Sequence, residues 1–156
     1  MTWKAMSPGR ACDLVDFWAG AQWPRTAEQV QQLGTEVGWT PDDDEFMTNR
    51  LDALSEPSVA IITLPSGEVG SFSFWTTDVV REPGEQAEAF LDDHYALLVR
   101  EGRSRWGRPE LTTGDGASAR WTLPGGSRAV VSRGPRSVVV DFTTPQYAAV
   151  LHDLGE

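Results

Sequence analysis

The spacing of apolar residues in the first part of the chain predicts two helices. Ser7 and Pro8 mark the start of the first helix, because serine caps helices and proline fits their first turn. Thr26 and Gln29 have the spacing of a capping box, and Gly38 suits the end of the second helix. The residues expected on the buried faces of these two helices are Ala11, Leu14, Val15, Trp18, Ala27, Val30, Leu33 and Val37.

The pattern then changes to the period of two that is typical of strands. "VAIITL" (59–64) and "EVGSFSFWTTDVV" (68–80) are rich in β-branched and aromatic residues, and a Pro-Ser-Gly turn separates them. These features predict a hairpin. In its second strand Trp75 faces away from Phe72 and Phe74. "EFMTNRL" (45–51) is expected to supply a preceding strand.

A helical period returns between Pro83 and Trp106 and ends at Gly107. Three short apolar segments then alternate with glycine and proline turns, and a last short helix begins at Pro145. Tight turns make consecutive strands antiparallel. The sequence therefore predicts a single α+β domain over 1–156, an antiparallel meander sheet flanked by helices in the order α-α-β-β-β-α-β-β-β-α. The three segments are "SARWTL" (118–123), "RAVVSR" (128–133) and "SVVVDFTT" (137–144).

The charge balance narrows the classes of partner. The chain has 13 Lys and Arg against 23 Asp and Glu, a net charge of -10. This charge opposes binding to nucleic-acid phosphates and to anionic lipid, and it favours a cationic partner. The arginines concentrate in the second half, so the first half is the more acidic one.

Cysteine usage and hydropathy point to a cytoplasmic protein. Cys12 is the only cysteine, which excludes an intrachain disulfide and a thiolate metal cluster. No run approaches the roughly 20 apolar residues that a membrane-spanning helix needs, and the start lacks the apolar core of a signal peptide.

Four consecutive carboxylates follow the second helix, in "GWTPDDDEF" (38–46). Calcium loops place ligands at alternate positions around a glycine, and this run has neither feature, so we expect no metal site. Two interpretations stay open: a solvated turn, and a patch that meets a cationic partner. The carboxylates are those of Asp42, Asp43, Asp44 and Glu45.

Candidate catalytic residues are few, and no cofactor motif is present. His94 follows Asp92 and Asp93, an arrangement that suggests an acid–base pair, but it falls within the apolar stripe of its helix. Cys12 lies among apolar residues, as expected for an inert thiol. Lys4 is the only lysine, so a Schiff-base site is not expected. These observations predict a protein that is not an enzyme.

Several short motifs in the later part of the chain resemble those of a family of small, uncharacterised actinobacterial proteins. They are Thr77-Asp78 at a strand end, the helix segment Phe90 to Asp93, the stop Trp106-Gly107-Arg108-Pro109, the pair Arg120-Trp121 and the run Val138 to Val140. Such proteins are similar to the small acidic immunity proteins that accompany secreted bacterial toxins. The resemblance implies binding to a cognate toxin domain and supplies no catalytic residues.

Together, charge and resemblance predict an immunity protein that covers the active site of a cationic toxin. The alternatives are a secretion chaperone that binds a client segment, a small enzyme that uses His94, and a housekeeping module. Aromatic anchors with an acidic rim would suit the binding surface. The residues expected there are Trp39, Asp42, Asp43, Asp44, Glu45, Trp75, Glu85, Glu88 and Asp92.

Overall fold

The computed structural model describes residues 2–43, 45–114 and 116–156. Within them the helices are α1 (Pro8–Ala19), α2 (Ala27–Gly34), α3 (Glu85–Trp106) and α4 (Pro145–Asp153), and a short 3-10 turn, Thr35–Val37, extends α2. None of these helices has the length and apolar character needed to cross a membrane.

The strands form one antiparallel sheet in the order β1-β2-β3-β4-β8-β7-β6-β5. The predicted α+β class and order of elements are confirmed, and the structure adds two short strands at the sheet edges, β1 and β5. The strands are β1 (Thr40–Pro41), β2 (Phe46–Thr48), β3 (Ser58–Thr63), β4 (Val69–Trp75), β5 (Glu110–Thr112), β6 (Ala117–Thr122), β7 (Arg128–Arg133) and β8 (Val138–Thr143).

The helix starts follow the capping chemistry of the sequence. The Ser7 hydroxyl accepts a hydrogen bond from the Arg10 amide, with Pro8 at the first helical position. At α2, Thr26 and Gln29 form both bonds of a capping box. Gly38 follows the 3-10 turn with φ +85°, a left-handed conformation that glycine adopts without a Cβ clash.

Helices α1 and α3 pack side by side over one face of the sheet. Under α1, the Trp18 ring contacts Phe72 of β4 edge-on, with the ring centroids 4.8 Å apart. Arg105 of α3 joins the two helices, since its guanidinium donates to Asp13 at 2.7 Å and to Asp16 at 2.9 Å. These carboxylates raise the pKa of Arg105.

The two halves of the sheet are related by an approximate two-fold axis at the Ser73–Asp141 pair of β4 and β8. Ser73 and Asp141 are 68 residues apart in the sequence. Adding 68 to a residue number in the first half gives the equivalent residue in the second half, so Thr76 corresponds to Thr144. Both threonine amides donate across the strands at 3.0 Å, Thr76 to Val138 and Thr144 to Gly70. Their hydroxyls donate to the same two carbonyls. In the described part of the chain, each half thus has four strands and two helices.

The second face of the sheet is largely uncovered, and we call it the open face. Helix α4 packs at the end of β4, where Tyr147 lies against Gly70. On the open face, Arg128 donates to the Glu156 carbonyl at 2.8 Å. The strand registers place one row of open-face residues across seven strands: Phe46, Ala60, Ser73, Asp141, Val130, Arg120 and Glu110.

Candidate partner-binding surface

Asp42, Asp43 and Glu45 lie in the connection between the edge strand β1 and its neighbour β2. The Asp42 amide donates to the Phe46 carbonyl at 3.1 Å, and the Phe46 amide donates to the Asp43 carbonyl at 2.9 Å. Asp42, Asp43 and Glu45 are exposed, and Asp44 lies outside the described residues. The turn therefore presents at least three carboxylates to solvent from a hydrogen-bonded backbone.

Helix α2 braces this turn from inside. The side-chain amide of Gln31 donates to the Asp43 carbonyl at 2.7 Å and to the Phe46 carbonyl at 2.8 Å. The Asp42 carboxylate accepts a hydrogen bond from the Thr48 hydroxyl at 3.1 Å. A turn held in this way keeps its like charges close together, which suits recognition of a cationic surface.

Trp39, expected as an aromatic anchor, is a core residue and not a surface one. Its side chain is 1% exposed and packs against Trp18, Phe72 and Phe74. The expectation that Trp39 reaches a partner is corrected for this reason. Trp75 lies half-buried on the open face, opposite Val139 of β8.

Two exposed apolar residues that were not among the expected binding residues lie near the acidic turn. Phe46 is 40% exposed and Ile62 is 56% exposed, and both point to the open face. Strand alternation is the signal that could have found them: Val59 and Ile61 face the core, so Ile62 must face outward. With the acidic turn, these side chains make an apolar surface rimmed by carboxylates.

The acidic residues of α3 are divided between two environments. Glu88 and Asp92 both pair with Arg133, whose side chain is only 12% exposed. The carboxylates themselves stay exposed, at 57% for Glu88 and 68% for Asp92, so they lie on the surface while they pair with Arg133. Glu85 is exposed and lines a cavity of about 380 Å³ with Trp3 and Glu82.

Charge is distributed unequally between the two halves of the molecule. The first 78 residues include twelve acidic and four basic residues. The remaining 78 include eleven acidic and nine basic residues. Because β1 to β4 occupy one side of the sheet and β5 to β8 the other, this difference along the chain is also a difference in space.

The candidate catalytic side chains His94 and Cys12 lie in the core. His94 is 6% exposed, and its Nε2 is 3.1 Å from the Thr76 hydroxyl. That hydroxyl donates to the Val138 carbonyl, so it accepts its second bond from the imidazole N–H. Asp92 and Asp93 point to solvent, so the structure does not bring His94 and these carboxylates together.

Burial sets the ionisation of these core groups. It lowers the pKa of His94 to about 4 and raises the pKa of the Cys12 thiol to about 12, so both stay neutral near pH 7. Burial also raises the pKa of Asp141, against the effect of its hydrogen bond from Ser73. Among the described residues, no group of three or more His, Cys, Asp or Glu side chains is arranged to hold a metal ion.

Comparison with protein families gives a match over residues 9–144 to the family model described as "Family of unknown function (DUF6301)". No curated protein and no solved structure matches the chain significantly.

Proposed function

We propose that this chain, which belongs to the DUF6301 family, is a non-enzymatic immunity protein that neutralises a cognate cationic toxin domain by covering its active site. The observation that carries the proposal is the acidic first half of the chain, with exposed Phe46 and Ile62 beside the acidic turn. We call Asp42, Asp43, Glu45, Phe46 and Ile62 the acidic surface.

Each part of the acidic surface suits capture of a basic protein. Clustered carboxylates raise the rate of encounter with a cationic partner, and apolar side chains inside a charged rim contribute most of the affinity once they are desolvated. Inhibition by covering an active site needs a rigid surface and no catalytic group. The burial of His94 agrees with such a role.

The proposal is tested by capture and by protection. The tagged full chain is incubated with lysate and secreted proteins of its native bacterium, and bound proteins are identified by mass spectrometry. The captured domain is then expressed in a heterologous bacterial host, with and without co-expression of this chain. We expect the domain to arrest growth when expressed alone and to be tolerated when the chain is present.

Two charge variants make the test specific to the acidic surface. Asp43→Lys/Glu45→Lys should lose both capture and protection, whereas Asp93→Lys/Asp153→Lys, with the same change in net charge in the second half, should retain both. A captured domain that is harmless, or protection that the first variant retains in full, would contradict the proposal.

A further inference from the structure

The open face carries few charges for a protein with 23 acidic residues. The charged side chains that the described strands present on it are Glu110, Arg120, Arg128 and Asp141. Depletion of charge is a compositional mark of the centre of a protein interface. The row of residues beside that of Asp141 is uncharged and consists, across five strands, of Trp75, Val139, Ser132, Ser118 and Thr112.

The negative charge of Asp141 has no cationic partner within the described part of the chain. Arg120 donates to the Glu110 carboxylate at 2.5 Å, and Arg128 donates to the carbonyl of the last residue at 2.8 Å. Asp141 accepts a hydrogen bond from the Ser73 hydroxyl and forms no ion pair with a described Arg, Lys or His side chain. Burial raises the pKa of Asp141, so its negative charge is poorly solvated on this face.

Trp75, which lies near Asp141 on the open face, differs in its packing from the other tryptophans. Among the described residues Trp75 packs against no aromatic ring and is not part of the hydrophobic core, although it is half-buried. Tryptophan is enriched in binding hot spots, and a ring that the fold leaves without a partner suits an interface. The tryptophans that do pack against another aromatic ring are Trp3, Trp18, Trp23, Trp39, Trp106 and Trp121.

The strand register places Trp75 and Asp141 within reach of one bound group. Asp141 lies opposite Ser73, and Trp75, two residues further along β4, lies opposite Val139. Side chains in this diagonal relation have Cβ atoms about 7–8 Å apart, which aromatic and long side chains can bridge. An arginine guanidinium suits both groups, because it stacks on aromatic faces and donates hydrogen bonds in a fork that matches a carboxylate.

We propose that Trp75 and Asp141, which we call the open-face pair, bind an arginine side chain of a partner protein. The guanidinium lies against the Trp75 ring and donates to the Asp141 carboxylate. The identity of the partner as a cationic toxin domain rests on the proposed function. Phe46 of the acidic surface and Asp141 share one row and are three strands apart, about 14 Å, so one basic domain can contact both.

A pair of short peptides tests the open-face pair directly. The acetylated and amidated tripeptide Val-Arg-Val is titrated into the ¹⁵N-labelled full chain at about 0.15 M salt. The control peptide has citrulline in place of arginine, which keeps the shape of the side chain and removes its charge. We expect saturable shifts at the amides of Ser73 and Asp141 and at the Trp75 indole N–H, with a Kd on the order of millimolar for the arginine peptide. The citrulline peptide should bind about three- to tenfold more weakly.

Three protein variants assign the binding to named side chains. Asp141→Asn keeps an acceptor for Ser73, so it should fold, and it should bind the arginine peptide only as well as the citrulline peptide. Trp75→Leu should weaken the arginine peptide by about two- to fivefold. Glu110→Gln, which removes a carboxylate at the end of the same row, is the matched control and should bind within about twofold of the wild type.

Several results would overturn the proposal: no saturable shifts at the open-face pair, equal binding of the two peptides, or full binding by Asp141→Asn. Shifts confined to Asp43 and Phe46 would overturn it as well, since they would place the arginine on the acidic surface. Concentration-dependent shifts at Trp75 without peptide would make a second copy of the chain the occupant of this face.

The same peptides separate this proposal from the proposed function. Asp43→Lys/Glu45→Lys protein should bind the arginine peptide within about twofold of the wild type, because the acidic turn lies beyond one Debye length at this salt concentration. Peptide binding with no capture of a toxin would leave the open-face pair in place and contradict the proposed function. Capture and protection without peptide binding would contradict the open-face pair alone.

Discussion

At the scale of single residues, burial decides which candidate side chains can act. Trp39 and His94 both stood out in the sequence for their chemistry, and both are core residues. Trp39 follows a glycine that ends a helical segment, a place that is exposed in many proteins. Its burial depends on contacts with Trp18 and Phe74, which are distant in sequence, so the local pattern could not reveal it.

His94 should make stability depend on pH. Its pKa is lowered from 6.5 to about 4, so between these values the folded state binds fewer protons than the unfolded chain. Stability is therefore retained above pH 6.5 and falls as the pH is lowered, by about 3 kcal/mol in total from this group. The raised pKa of Asp141 has the opposite effect, because it makes the free energy of unfolding fall as the pH rises.

The contribution of His94 is isolated by comparing variants in urea unfolding at pH values from about 7 to 4. His94→Gln should lose most of this pH dependence, whereas His152→Gln, at an exposed position, should keep that of the wild type. Equal slopes for the wild type and His94→Gln would show that burial of His94 does not set the pH dependence.

At the scale of elements, local signals predicted most of what the structure contains. Helix caps at Ser7 and Thr26, the hairpin of β3 and β4, and the end of α3 at Gly107 each rest on contacts between residues close in sequence. The strand β1 was missed because two residues, Thr40 and Pro41, carry no periodic pattern. Its pairing with β2 makes it a strand.

Close packing of α3 on β6 should make Gly102 intolerant of a side chain. An added Cβ would lie 2.7 Å from two ring atoms of Trp121, which is too close for any van der Waals contact. We expect Gly102→Ala to lower the free energy of unfolding by about 1–3 kcal/mol, although alanine is the better helix former.

Gly9 of α1 is the matched control. A Cβ there meets only the Arg105 guanidinium, at 3.9 Å, so Gly9→Ala should be neutral or stabilising by up to about 1 kcal/mol. Denaturant unfolding measures both variants. A Gly102→Ala protein as stable as the wild type would mean that α3 does not pack this closely against Trp121.

At the scale of the whole molecule, the sequence indicated the class of the fold but not its symmetry. The central pairing of β4 with β8 joins residues almost half the chain apart, and no local pattern specifies it. This pairing places the acidic first half and the more basic second half on opposite sides of one sheet. The position of the acidic surface on one side of the sheet follows from that arrangement.

The measurement that tests the central claim most directly is the association rate of the captured partner at low and high ionic strength. If the acidic surface captures a cationic domain, Asp43→Lys/Glu45→Lys should slow association by about tenfold or more at low salt and flatten its salt dependence. Asp93→Lys/Asp153→Lys should stay within about twofold of the wild type. Equal rates for the two variants, or a wild-type rate that salt does not change, would contradict the claim.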